Sequence, residues 1–203
     1  MRMIRILVFI ASISLASVMH ADTITFTNTF VASGTLGASS FSNALVTLVG
    51  TGDAADFLTS LPNFYRDTAV STTITVAGLG SGSVITPLGF FLDARPGITG
   101  KAGATVAGTG FQIDVMEATA FQSYDSHSSF APVPALLTFS WVGQNQFNTS
   151  LGAFIISDVT YHSAASFGVQ ITPSPVPEPS SLLLMGSGTV ALLGMVKRRF
   201  RSL

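Results

Sequence analysis

The chain has 203 residues, with 9 Lys+Arg, 10 Asp+Glu, 3 His and no Cys. Only 9% of it is charged, and its mean hydropathy of +0.55 is too high for a disordered chain and too low for a bundle of membrane spans. The missing Cys excludes disulfides, thiolate zinc sites and a Cys nucleophile, and the sparse positive charge argues against nucleic acid as a partner.

Charge divides the chain into three unlike pieces. Six of the nine basic residues lie at the ends: Arg2 and Arg5, then Lys197, Arg198, Arg199 and Arg201. Residues 22–176 hold only Arg66, Arg95 and Lys101 against nine carboxylates, a net charge of −6. At the amino end, Arg2 and Arg5 flank a basic start to the apolar run 6–18. That pattern predicts a secretory signal peptide over 1–21, because the run is shorter than the roughly 20 residues a membrane span needs. Cleavage between Ala21 and Asp22 would leave Asp22 as the mature start. A cut after Ser17 is the alternative, since Met19 is large for a position three before the cut, and a retained anchor is the competing reading.

Residues 22–172 alternate apolar and polar with a period of two. Ile24, Phe26 and Phe30 share one face, with Thr23, Thr25, Thr27 and Thr29 opposite. The same alternation places Val70, Ile74 and Val76 on a buried face, then Phe111, Ile113 and Val115 with Gln112 and Asp114 outward. Leu137, Phe139 and Trp141 form the next buried face, then Ile155, Val159 and Tyr161. Such runs predict strands with one buried face. Gly-rich segments at 34–37, 50–53, 78–83, 96–103, 108–110 and 143–148 predict the turns between them. Residues 53–61 and 117–122 are each compatible with a helical turn or two. The predicted class is therefore all-β: an antiparallel β-sandwich or jelly-roll-like domain, with a signal peptide before it and one transmembrane helix after it.

Candidate chemistry in this domain is thin. Asp125, Ser126 and His127 are adjacent, but a catalytic triad is defined by spatial geometry and an oxyanion hole, and no nucleophile elbow is present. A turn built on Asx and Ser hydrogen bonds explains them as well. His127 and His162 lack the local spacing of zinc ligands. Residues 50–56 offer a calcium ion only the carboxylates of Asp53 and Asp56. Trp141, Tyr65, Tyr124 and Tyr161 would make a sugar-stacking platform if exposed, although Trp141 shares its face with Leu137 and reads as core. No catalytic residue, no metal ligand and no cofactor is expected.

The carboxyl end is the most specific part. Pro173, Pro175, Pro177 and Pro179 alternate with other residues, which enforces an extended strip over 173–181. Residues 182–196 are apolar and uncharged, and Ser180 to Val196 spans 17 residues, the short end of a bilayer-crossing helix. Ser180 and Ser181 can cap its start. Lys197, Arg198, Arg199 and Arg201 then form a basic stop over 197–203, cytoplasmic under the positive-inside rule. This order of elements resembles the PEP-CTERM sorting signal of exopolysaccharide-producing bacteria, on Val176, Pro177, Glu178, Pro179 and Ser180, then the Leu-rich run with Gly186, Gly188 and Gly194, then Lys197 to Arg201.

The resemblance implies export by the general secretory route, a transient inner-membrane anchor and processing by an exosortase near the Pro-Glu-Pro. It implies release to the cell surface or extracellular matrix. The function expected is a non-enzymatic structural or adhesive protein, with exopolysaccharide as a candidate partner and no role for nucleic acid. A secreted carbohydrate-binding module or hydrolase using the same route is the alternative, and a permanently anchored membrane protein is the third reading.

Overall fold

The computed structural model describes residues 22–69, 71–125, 127–140, 142–143, 145–161 and 163–174. Those through Pro173 belong to one compact unit, Ala21–Pro173. The unit is all-β and antiparallel. In chain order the strands are β1 (Thr23–Leu36), β2 (Ser39–Asp53), β3 (Leu58–Leu61), β4 (Phe64–Thr68), β5 (Ser71–Val76), β6 (Gly80–Ser83) and β7 (Leu88–Asp93). They continue with β8 (Lys101–Val106), β9 (Gln112–Glu117), β10 (Phe130–Ser140), β11 (Asn145–Thr149), β12 (Gly152–Val159) and β13 (Ala164–Thr172). The two segments compatible with helix each hold one short 3-10 turn, Ala54–Asp56 and Thr119–Ser123. Residues 58–61 of the first are strand instead.

All the strands belong to one hydrogen-bonded sheet, in the order β3-β4-β7-β8-β9-β10-β13-β1-β2-β5-β6, with β12 also on β1 and β11 on β12. The sheet branches at β1. Its first half, Thr23 to Thr29, pairs with β13, and its second half, Ala32 to Leu36, pairs with β12, while β2 runs beside both. The branch closes on itself, because Val84 bridges Thr149 and Ser150 N–H donates to Ser83 O at 2.8 Å.

The core follows the predicted alternation over much of its length. Ile24, Phe26, Phe30, Ile74 and Val76 are fully buried. Phe26 stacks on Phe90 at 5.0 Å and meets Phe57 edge-on at 5.2 Å, so β1 faces β7 across the core. The opposite, Thr-rich face of the β13-β1-β2-β5-β6 region is tied by cross-strand hydroxyl pairs. Thr29 meets Ser166 at 2.6 Å, Thr51 meets Ser71 at 2.6 Å and Thr75 meets Ser81 at 2.7 Å. Such pairs add a few tenths of a kcal/mol each.

Four predicted details are corrected. Residues 50–53 are not a turn but the end of β2. Their glycines answer close packing: a Cβ on Gly50 would stand 2.2 Å from the Phe90 ring, and one on Gly52 would stand 2.4 Å from Asp67 Oδ2. In β10, Leu137 is buried but Phe139 is 38% exposed, because the register with β9 shifts between them. In β12 the inward residues are Phe154, Ile156 and Val159 rather than Ile155, and Tyr161 is exposed; the register with β1 shifts opposite the Ser33–Gly34 step. A bulge adds one residue to one strand and so reverses the facing of everything beyond it. Phe111 precedes β9 and is exposed, whereas Asp114, predicted outward, is fully buried.

A further close approach is at Gly103 in β8, where a Cβ would lie 2.1 Å from the Asp114 carbonyl oxygen. Gly103→Ala therefore pushes two backbones apart. The expected loss is about 1–3 kcal/mol by the measure of overpacked sites, which lowers the melting midpoint by roughly 3–10 °C in a domain of this size. Thermal unfolding followed by circular dichroism reads it directly.

Candidate functional site

The predicted chemistry is dispersed. At Asp125, the carboxylate Oδ1 accepts from His127 N–H at 2.9 Å, Ser128 N–H at 3.1 Å and Ser128 Oγ–H at 2.8 Å. Those bonds, the His127 backbone N–H foremost, hold its carboxyl below the usual range. The His127 ring is set against Asp125 through the backbone: its Nδ1 lies 2.6 Å from the Asp125 carbonyl oxygen, not against the carboxylate. This is an exposed Asx-type turn, and its carboxylate is occupied in closing it. Ser126 lies outside the described residues, as do Val70, Trp141 and His162.

Asp53 is likewise occupied. It caps the 3-10 turn Ala54–Asp56, with Oδ1 accepting from Ala55 N–H at 2.8 Å. Among the described residues no group of three or more His, Cys, Asp or Glu is gathered closely enough to hold a metal ion. The tyrosines do not form a platform. Tyr65 and Tyr124 are buried against one another, edge to face at 5.5 Å, and only Tyr161 is exposed.

Sequence reasoning missed a set of buried carboxylates. Asp114 on β9 is fully buried, and both its oxygens accept from Asn28 Nδ2 of β1, at 2.9 and 3.0 Å. Oδ1 also accepts from Ala104 N–H at 3.3 Å. Burial pushes Asp114 up to about 7, and these hydrogen bonds only partly offset it. Asn28 Oδ1 has no hydrogen-bond partner among the described residues. Asp67 on β4 is 3% exposed, with Oδ2 unpartnered. Burial and then the charge of Asp56 push it up to about 6, and Asp53 adds to the effect. The available signal was Asn28 itself, an amide on the face shared by Ile24, Phe26 and Phe30. A second was the run Ile113, Asp114, Val115, Met116, of which every residue is buried. These groups are polar core.

The outer face of β4, β7, β8 and β9 carries the domain's cations. Arg95 donates to Asp93 at 2.8 and 2.6 Å and lies over the Phe64 ring, 5.7 Å from its centroid. Although burial works against it, Arg95 holds Asp93 below the usual carboxylate range. Lys101 pairs with Glu117 at 3.2 Å. Beside them Arg66 borders a cleft of about 210 Å³.

The predicted sorting elements fall outside the described residues: the expected signal peptide 1–21 with Ala21, Val176, Pro177, Glu178, Pro179 and Ser180, the apolar run 182–196, and Lys197, Arg198, Arg199 and Arg201. Asp22, the expected mature start, is exposed, and its carbonyl accepts from Ala54 N–H at 2.8 Å. Among the described residues no helix is long and apolar enough to cross a membrane.

No curated protein and no solved structure matches the chain. A family model does match its tail: the PEP-CTERM protein-sorting motif, over residues 175–201. The match takes in Val176 to Ser180, the apolar run and the basic residues through Arg201. The motif implies an exported protein with a C-terminal membrane-associated sorting tail that exosortase processes. On that tail, the chain is a PEP-CTERM sorting-domain-containing protein.

Proposed function

We propose that the protein is an exported surface or extracellular-matrix component of an exopolysaccharide-producing bacterium, carrying a non-enzymatic structural or adhesive β domain. In this reading residues 1–21 direct export, 182–196 hold the chain transiently in the inner membrane, and 197–203 stop transfer. Exosortase then cuts near Pro177–Glu178–Pro179 and releases the β domain. The observation that carries the reading is the sorting motif at 175–201. The β domain supports it: Asp125 is occupied in a turn rather than orienting the His127 ring, and the Thr/Ser face carries across five strands only the charge of Asp53 at the end of β2. A sandwich-like class for the domain belongs to the same reading, supported by the packing of Phe26 on Phe90 and of Asn28 on Asp114 across the core.

Mass spectrometry of the protein recovered from medium and membranes tests it. A product starting near Asp22 and ending close to Pro179 is expected. A membrane form that retains Leu203 as its only end would overturn the reading. Glu178 is the only charge between Asp158 and Lys197, which makes it the natural handle for the processing enzyme. Glu178→Ala is expected to accumulate uncut protein in the membrane of its host, and unchanged processing of that variant would remove this role from Glu178.

A further inference from the structure

We propose that the cleft beside Arg66 binds a carboxylate-bearing sugar ring, a uronate unit of an acidic glycan. The inference rests on the matrix reading above and names its ligand.

The cleft is built by register. On the outer face, Arg66 of β4 stands opposite Phe91 of β7, which stands opposite Gly103 of β8. In the next row Thr68 stands opposite Gly89, Gly89 opposite Thr105, and Thr105 opposite Gln112 of β9. The glycines make the trough. Phe91 lies down over Gly103, where a Cβ would come within 3.1 Å of its ring, and Gly89 leaves the floor bare between Thr68 and Thr105. The turn containing Gly108 and Gly110 closes one end.

The chemistry of the lining is one-sided. Of the three basic residues in 22–172, Arg95 is paired with Asp93 and Lys101 with Glu117, and Arg66 alone has no partner among the described residues. No carboxylate lines the cleft. The neighbouring Asp67 points the other way, into the core, as alternation along β4 requires. An exposed guanidinium in an acid-free cleft offers a planar two-pronged donor that matches a carboxylate.

The remaining groups select what carries that carboxylate. Thr68, Thr105 and Gln112 both donate and accept, which suits hydroxyl groups. From β4 to β9 they extend across three strand spacings, about 14 Å, farther than a bare anion reaches. Phe64 adds a partly buried aromatic edge. At about 210 Å³ the cleft is smaller than a site that encloses a drug-sized ligand. It holds one ring of a longer chain.

Isothermal titration of the purified full chain, in a non-ionic detergent, with a galacturonate trisaccharide tests the proposal. Saturable binding is expected, with none for the neutral galactose trisaccharide. Arg66→Gln should weaken affinity tenfold or more, and Arg66→Lys should also weaken it, because the fork is lost while the charge remains. Thr105→Val, which keeps the shape, should weaken it severalfold with an unchanged circular dichroism spectrum. Equal binding of the neutral sugar, or full affinity in Arg66→Gln, would overturn the proposal. So would equal competition by an acetylated dipeptide carboxylate, which would make the cleft a peptide-end site. Failure here leaves the terminal cuts intact if the sorting reading is right, whereas failure of the sorting reading shows in those cuts whatever the cleft binds.

Discussion

Unfolding by denaturant at pH 4, 5.5, 7 and 8 is expected to show a domain that loses stability as the pH rises from about 4 to 7. This is opposite to the usual acid denaturation, and the sign follows from Asp114. Its folded pKa, about 7, lies above the ordinary 3.8. Between those values the folded state keeps a proton that the unfolded state releases, so stability falls with increasing pH through that window. The contribution is complete below the lower value and lost above the higher one. One pKa unit corresponds to about 1.4 kcal/mol, so Asp114 removes on the order of 4 kcal/mol between pH 4 and pH 8. Asp67, raised to about 6, acts in the same direction over the lower part of the window. Asp93 and Asp125 are lowered, so their opposite effect falls below pH 4.

Asp114→Asn isolates the cause. The amide is isosteric, removes the titration and keeps one oxygen to accept from Asn28 Nδ2 and Ala104 N–H, while its NH2 takes the place of Oδ2, 3.0 Å from Asn28 Nδ2. It is expected to flatten most of the slope between pH 4 and pH 8, because the group that titrates is gone. A wild-type stability that stays level or rises between pH 4 and 7 would show that Asp114 ionises in the fold without penalty. The buried carboxyl would then need a partner other than Asn28.

Phe26→Ala is the second change with a large effect. Phe26 is fully buried, stacked on Phe90 at 5.0 Å and in contact with Phe57 and Phe167. It joins β1 to β7, which are far apart in the order of the sheet. Truncating such a ring costs about 3–5 kcal/mol in lost transfer energy and residual cavity, against a total of about 5–15 kcal/mol for a domain. The variant should be mostly unfolded a little above room temperature. Phe139→Ala is the matched comparison, because sequence alternation places both rings inward. With Phe139 38% exposed beyond a bulge, its truncation should cost clearly less than that of Phe26, about 1–2 kcal/mol. Equal losses in the two variants, by chemical denaturation, would mean that the β9–β10 register runs straight through Thr138.

The two comparisons mark where reading the sequence succeeds. Alternation in 23–30 and 71–76 puts Ile24, Phe26, Phe30, Ile74 and Val76 inside, because unbroken pairing keeps a period of two in step with the core. It fails at Phe139 and Ile155, each next to a register shift. A bulge leaves little trace in one strand's sequence, since it is a property of two strands paired together. The glycines at 50 and 52 mislead for a related reason. Their smallness answers Phe90 and Asp67, which arrive from β7 and β4 and not from their neighbours in sequence.

The sequence by itself determined that this protein carries a sorting tail. A sorting tail is read by an enzyme and a membrane as a linear order of prolines, apolar residues and positive charges, so it is complete at the level of the chain. It also determined that the domain is built of strands, since period two is a local property. Only the tertiary structure decided what the strands bring together. Asn28 and Asp114 are 86 positions apart and become one buried pair because β1 and β9 face each other across the core. Arg66 has no partner among the described residues because register gave Lys101 the carboxylate of Glu117, while Arg95 takes Asp93 two positions before it. Burial, pKa and pairing depend on neighbours in space, and those neighbours exist only once the sheet has closed over its core.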